Sequence, residues 1–308
     1  MMDNETVDVL PAPQKLITFT DEEDLYSCFK QLIENHILSA PVWDSKKKEY
    51  SGFLDVRDLV PIILKLYDQK QEVSDLNSFL DAALMKDKFS ELGSTPLELS
   101  KKNAFKPIKK SDPLRTIVHL LSSTQLRRVP VLDDEGNLIN IVAQSSLIKY
   151  FGERCIKIPE DNSKEPRIAD LPLGSAPVAT VSKNETVVTT FRKLAEEGRS
   201  GLAMLDDHDG RLVGTTTAKD LGLFLRNPNF ALLEIPIFQH LQKIRAEQFM
   251  VVTPCISVFP SDAVSRVVGL LMATKVHRIF VVDNEVNFKP IRVISIQDIL
   301  KYFDQVKI

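Results

Sequence analysis

Short apolar runs and amphipathic stripes follow one another along this chain in an order that comes round four times. Four apolar runs end in aspartate: Ala40-Pro-Val-Trp-Asp44, Val129-Pro-Val-Leu-Asp133, Leu202-Ala-Met-Leu-Asp206 and Phe280-Val-Val-Asp283. A polar stretch follows each: Ser45-Lys-Lys-Lys, Asp134-Glu-Gly-Asn, Asp207-His-Asp-Gly and Asn284-Glu-Val-Asn. Apolar runs separated by such residues predict β-hairpins. The returning strands carry Gly52-Phe-Leu, Asn140-Ile-Val, Gly214-Thr-Thr and Arg292-Val-Ile.

A helix is predicted on each side of every hairpin. Before the hairpins, apolar residues fall at i, i+3 or i+4 and i+7: Leu25, Phe29, Leu32 and Ile33; Leu114, Ile117, Val118 and Leu121; Val187, Phe191, Leu194 and Ala195; Val264, Val267, Val268 and Leu271. Cap-forming residues precede these stripes at Thr20, Ser111, Ser182 and Ser261, with capping boxes at Thr20–Glu23 and Ser182–Glu185. Short strands precede the caps, at Leu16-Ile-Thr-Phe, Phe105-Lys-Pro-Ile, Val178-Ala-Thr-Val and Ile256-Ser-Val-Phe. After the hairpins a second helix opens at Asp58-Leu59, Ser146-Leu147, Asp220-Leu221 and Asp298-Ile299. These openings lie 14, 13, 14 and 15 residues beyond the strand-ending aspartates, a regularity that marks an internal repeat.

Each copy therefore reads strand–helix–strand–strand–helix, an α/β (α+β) unit of about fifty residues. A unit that small buries little surface alone, so the copies are expected to pair. The expected organisation is a tail over 1–13, copy one over 14–66, a helical insert over 67–104, and copy two over 105–152. A polar linker over 153–167 follows, then copy three over 168–226, a helical insert over 227–252, and copy four over 253–308. Pairing in chain order gives modules over roughly 14–152 and 168–308, with helix-like stretches at Leu76–Leu84 and Leu232–Ile244 in the inserts.

Composition narrows the classes of function. Of 308 residues, 39 are basic and 42 acidic, a formal charge of −3 that argues against a protein built to coat nucleic acid or an anionic membrane. No run approaches the length of a membrane span, and the first thirteen residues lack a signal or transit pattern. Three cysteines, Cys28, Cys155 and Cys255, stand apart without a metal or redox spacing, which suits the cytoplasm and also the nucleus. No nucleophile motif, phosphate-binding glycine loop or metal spacing appears among the five histidines and their neighbours. His119, on an amphipathic stripe, is expected at the edge of the core, and Trp43 on a core strand.

The fourfold pattern resembles the cystathionine-beta-synthase (CBS) domain, with four βαββα repeats paired into two Bateman modules, and it covers nearly the whole chain. Four such units with no other domain are similar to the gamma regulatory subunits of AMP-activated protein kinase. The first copy (Ala40–Asp44, Gly52-Phe-Leu, Asp58) and the fourth (Val276–Asp283, Ser295–Asp298) carry the closest local matches.

The resemblance implies a non-catalytic regulatory subunit that takes AMP, ADP or ATP as regulatory ligands and no catalytic cofactor. Its partners would be the catalytic and scaffold subunits of a protein kinase, with no nucleic acid and no membrane. It also implies roles for particular residues. Thr217 and Ser295 would donate to phosphate, and Asp220 and Asp298 would accept ribose hydroxyls. Free amides at a helix opening suit an anion, and charged hydrogen bonds contribute about 1.5–3 kcal/mol each. Ser/Thr-x-x-Asp is equally an N-terminal capping box, so capping alone is the competing reading at both positions.

Copy one has Asp58 in the carboxylate position. Asp55 stands where the hydroxyl is expected, and there it would repel a phosphate by about 1–4 kcal/mol at contact. Copy two, Ala143-Gln-Ser-Ser146, has neither group. Basic residues for phosphate are expected from His277-Arg278, Arg127-Arg128 and, further off, Arg199; a solvated pair at a strand end is the alternative for each. Two further readings stay open: a nucleotide-free interaction scaffold, and a sensor of another adenosyl ligand such as S-adenosylmethionine.

Overall fold

The computed structural model describes residues 2–10, 15–71, 82–154, 165–247 and 255–306. Copy one consists of β1 (Phe19–Thr20), α1 (Leu25–Glu34), β2 (Ser39–Asp44), β3 (Glu49–Asp55) and α2 (Leu59–Gln71); α3 (Ala82–Glu91) and α4 (Pro96–Ser100) follow in the insert. Copy two is β4 (Ile108–Lys109), α5 (Leu114–Ser123), β5 (Arg128–Leu132), β6 (Leu138–Ala143) and α6 (Gln144–Arg154). Copy three is β7 (Thr180–Ser182), α7 (Val187–Glu196), β8 (Gly201–Leu205), β9 (Leu212–Thr217) and α8 (Gly222–Arg226), with α9 (Ala231–Glu234) and α10 (Ile237–Glu247) after it. Copy four is β10 (Ser257–Val258), α11 (Val264–Thr274), β11 (Arg278–Val282), β12 (Pro290–Ser295) and α12 (Ile296–Gln305). Residues 76–81 of the predicted insert helix, Cys155 and the linker around Pro159 lie outside the described residues.

The four copies make four sheets of one topology. In each, the first strand runs parallel to the second, and the second pairs antiparallel with the third. The register repeats as well: Phe19, Ile108, Val181 and Val258 face Val42, Val131, Met204 and Val281, and a bulge follows each of those four partners. The aspartate that ends each second strand has a structural cause. Asp44 accepts the amides of Lys46 and Lys47, both at 3.0 Å. Asp133 accepts Asn137 at 2.7 Å, Asp206 accepts His208 at 2.9 Å, and Asp283 accepts Asn284 and Lys289, both at 2.8 Å. The carboxylate thus closes the hairpin turn, as an Asx side chain does.

The first helices begin later than their sequence signals. They are capped at Asp24, Pro113, Thr186 and Ala263 rather than at Thr20, Ser111, Ser182 and Ser261. The Thr20–Glu23 pair does form, with the Thr20 amide donating to Glu23 at 3.0 Å, but it closes a turn ahead of the helix. Three helix starts gain an unexpected partner. The first amides of α5, α7 and α11 donate to carbonyls of distant segments: Leu114 to Glu5 at 2.7 Å, Val187 to Ile235 at 3.0 Å and Val264 to Pro166 at 3.3 Å. The expected N-terminal tail is therefore a packed strap over its described part, with Met2, Val7 and Leu10 buried.

Contacts divide the chain into two compact units that interleave the copies. One contains Ile17–Phe105 and Ala179–Cys255, and so copies one and three. The other contains Met1–Leu16, Lys106–Val178 and Ile256–Ile308, and so copies two and four. This division follows the helix faces. In the first unit α2 packs on α7 and α1 on α8, and Phe29, Leu32, Phe191 and Phe224 share one core. In the second α12 packs on α5 and α6, and Leu121, Phe151, Leu271 and Phe303 share the other. The predicted stripe residues fill these cores, apart from half-buried Ile33 and exposed Ala195. His119 is not a core-edge residue: its side chain is 65% exposed and its Nδ1 lies 3.0 Å from Asp304 of α12. Trp43 meets Tyr50 edge-on, and Tyr50 stacks on Phe105.

Candidate helix-opening site

The second helix of each copy opens directly off the last strand of its sheet, and that junction builds the site. Opposite each junction lies the first residue of the central strand: Ser39 faces Asp55, Arg128 faces Ala143, Gly201 faces Thr217 and Arg278 faces Ser295. The residue just before that strand joins in through its carbonyl. Leu38, Arg127 and His277 accept the first amides of the openings, from Val56 at 2.8 Å, Gln144 at 3.3 Å and Ile296 at 3.1 Å. The sheet register thus brings Arg127-Arg128 and His277-Arg278 to the helix openings of copies two and four, with Arg127 and His277 exposed. Arg199 is exposed and lies two residues before β8, one place earlier than the other pairs.

At three openings a carboxylate closes a capping box. In copy three, Asp220 accepts the Thr217 amide at 2.7 Å and the hydroxyls of Thr216 and Thr217 at 3.2 and 3.3 Å. In copy four, Asp298 accepts the Ser295 amide at 2.8 Å and its hydroxyl at 2.6 Å. In copy one, Asp58 accepts the Asp55 amide at 3.0 Å and the Asn103 side-chain amide at 3.3 Å. All of these bonds go to Oδ2, and Oδ1 of each aspartate accepts none among the described residues. One oxygen holds the helix opening and the other remains an acceptor with open lone pairs. The hydroxyls of Thr217 and Ser295 currently point their protons at the carboxylate, so an incoming anion competes for them.

Burial sets these acids apart. Desolvation pushes the Asp58 carboxyl up to about 6, against the pull of the Asp55 amide and with a further push from the Asp55 charge. Desolvation also raises Asp220, while the Thr217 amide, His240 and the two threonine hydroxyls favour its ionised form. Both thiols that the structure describes are inert, since burial drives Cys28 far up and Cys255 up to about 12.

Three contributors carried no local signal in the sequence. Arg57 neutralises Asp55 through Nε at 2.9 Å and Nη2 at 3.2 Å, so the carboxylate expected to repel phosphate is already paired. Asn103, from the segment after α4, reaches Asp58 across 45 residues. His240, fully buried on α10, places Nε2 3.0 Å from the carbonyl of Asp220 and braces that turn. The turn Val56–Asp58 also packs against the turn Ala218–Leu221, so the openings of copies one and three are neighbours within their unit. Copy two lacks a capping carboxylate; the Gln144 side chain donates instead to Leu121 O at 3.1 Å. Among the described residues no cluster of three or more His, Cys, Asp or Glu is arranged to hold a metal ion, and no helix is long and apolar enough to cross a membrane.

Comparison with known proteins adds a family. The CBS domain profile matches residues 101–153, 168–225 and 246–305. The first copy lies outside those matches, yet its sheet has the order, register and bulge of the other three. The chain is 25% identical to the 5'-AMP-activated protein kinase subunit gamma of Saccharomyces cerevisiae, over 96% of this chain and 88% of the relative. It is 23% identical to the human subunit gamma-3, over 98% of this chain and 59% of that one. Among solved structures, protein MJ1225 of Methanocaldococcus jannaschii superposes with a TM-score of 0.71 at 16% identity, covering 97% of this chain and all of that one.

Proposed function

This chain belongs to the CBS domain family, and from that premise we propose that it is a non-catalytic regulatory subunit that binds adenine nucleotides and tunes a partner protein kinase. Its ligands are AMP, ADP and ATP, and its setting is the cytoplasm or nucleus. The observation that carries the reading is the half-used carboxylate. Asp220 and Asp298 each hold a helix opening with one oxygen and offer the other to a sugar hydroxyl. In copy four, Ser295 and Arg278 stand in register at the same opening, a hydroxyl and a guanidinium suited to phosphate. Arg127 and Arg128 add cationic character at the opening of copy two, and His277 adds an imidazole at that of copy four; Arg199 supplies a guanidinium in copy three from one residue further away. Asp58 offers the same free oxygen in copy one. The chain's partners are the catalytic and scaffold subunits of a protein kinase, a reading supported by relatives whose names describe gamma subunits of such a kinase. AMP, ADP and ATP place different charge at one opening, and only that difference in affinity can shift a bound kinase between states.

Calorimetric titration with AMP tests this. The unmodified protein should bind, and Asp220→Ala and Asp298→Ala should each remove one site while costing about 0.5–2 kcal/mol of stability through the lost cap. Absence of binding heat for every adenine nucleotide in folded protein would sink the proposal. A second reading, a nucleotide-free interaction scaffold, draws on the completeness of the capping boxes at Asp58, Asp220 and Asp298. On that reading the same substitutions lower stability and leave ligand binding at zero throughout.

A further inference from the structure

Copy one differs from copies three and four in what meets its carboxylate. Among the described residues the carboxylates of Asp220 and Asp298 accept hydrogen bonds only from their own turns, whereas that of Asp58 also accepts one from the insert. Asn103 is the centre of that contact. Its side-chain amide donates to Asp58 at 3.3 Å and to the Phe53 carbonyl at 3.0 Å, and its Oδ1 accepts from Arg57 at 3.4 Å. Its backbone joins the same clasp: the Phe53 amide donates to Asn103 O at 2.8 Å, and the Asn103 amide donates to Ser100 O at 2.9 Å.

The clasp needs Gly52. A Cβ there would lie 2.0 Å from Ser100 O and 2.7 Å from Asn103 O, so the segment lies directly on the backbone of β3. The opening it covers is otherwise equipped for a ligand. Among the described residues, Asp58 keeps an unused oxygen, Arg57 cancels the charge of Asp55, and the Ser39 hydroxyl, in register opposite Asp55, is buried with no hydrogen-bond partner. A buried hydroxyl left unpaired is rare in a folded protein and marks a place where a polar group is due.

We propose that copy one is a gated site, at which Asn103 occupies the carboxylate until a nucleotide displaces it and the Ser100–Asn103 segment lifts from Gly52. The inference rests on the nucleotide-binding reading above and adds to it a residue that sets the affinity of one copy and a segment whose release reports its filling. Asn103 takes Oδ2 of Asp58 and leaves Oδ1 open; a ribose whose two hydroxyls reach for both oxygens meets the Asn103 amide as a rival donor, so removing that amide favours the sugar.

The test isolates copy one by titrating AMP into protein carrying Asp220→Ala and Asp298→Ala, with and without Asn103→Ala. The added substitution is expected to tighten binding by about tenfold or more, the scale of one charge-assisted hydrogen bond. Unchanged or weaker binding overturns the gate. Hydrogen exchange of unsubstituted protein supplies a readout that does not depend on the variants folding. Saturating AMP should deprotect the Phe53 amide, which now donates to Asn103 O; equal or greater protection overturns the proposal. AMP binding that persists at copies three and four while these readouts fail overturns the gate alone. Absence of AMP binding in the unsubstituted protein overturns the nucleotide reading and the gate with it.

Discussion

Burial raises the carboxyl of Asp58 from 3.8 to about 6, and the direction has two consequences. A carboxyl raised by folding favours the protonated form, so its contribution to stability is full below the unfolded value and is lost as pH rises from about 3.8 to about 6. Asp58→Asn should therefore remove up to about 3 kcal/mol of pH dependence across that window, read as the difference between variant and parent in urea unfolding. Ligand binding runs the other way. A sugar hydroxyl needs the ionised acceptor, so affinity at copy one should rise as pH passes through about 6, checked by AMP titration at pH 5.5 and pH 7.5. The three capping aspartates were legible in the sequence because carboxylate and cap stand three residues apart on one helix turn. Asn103 and His240 were not, since each acts across 45 or 20 residues, a separation that no local spacing signals.

The elements were legible wherever a local pattern carried them. Apolar runs broken by polar turns marked the hairpins, and the stripes marked the helices because burial of one helix face enforces its period. The exact caps were not, because Thr20 and Ser182 have the right chemistry for a cap and form the preceding turn instead, leaving Asp24 and Thr186 to accept the helix amides. Two element contacts lend themselves to substitution. Arg292 of β12 donates through Nη1 to the carbonyls of Ile168, Leu171 and Leu173 at 3.4, 3.2 and 3.1 Å, and so fastens the strap that precedes copy three onto copy four. Arg292→Ala should lower stability by about 1.5–3 kcal/mol in thermal or denaturant unfolding. Gly52→Ala should displace the Ser100–Asn103 segment and cost about 1–3 kcal/mol, with loss of protection at the Phe53 amide as the local measure.

Across the whole molecule, the repeat count was legible, and which helix faces share a core was not. Sequence order suggests neighbours, but the helix faces join copy one to copy three and copy two to copy four. No periodicity distinguishes which of four similar stripes a helix will meet; that choice rests on detailed fit, such as Ile33 against the bare backbone of Gly222, or Phe151 stacked on Phe303 at 4.4 Å. The grouping predicts how the chain divides. Residues 1–155 alone and 165–308 alone each hold half of both cores, so each should be loosely packed and should bind a dye specific for exposed apolar surface. Mixed or co-expressed, the two fragments should assemble and lose that binding.

The interleaved path also has a consequence on the ribosome. From residue 17 onward the chain passes through one core, then the other, then the first again, and finishes in the second. The core shared by copies one and three cannot close until Leu241 and Ile244 have emerged, and its counterpart waits for Leu300 and Phe303. Until Ile244 emerges the nascent polypeptide thus carries two unfinished apolar surfaces at once, an arrangement that favours early engagement by chaperones and completes the cores one after the other.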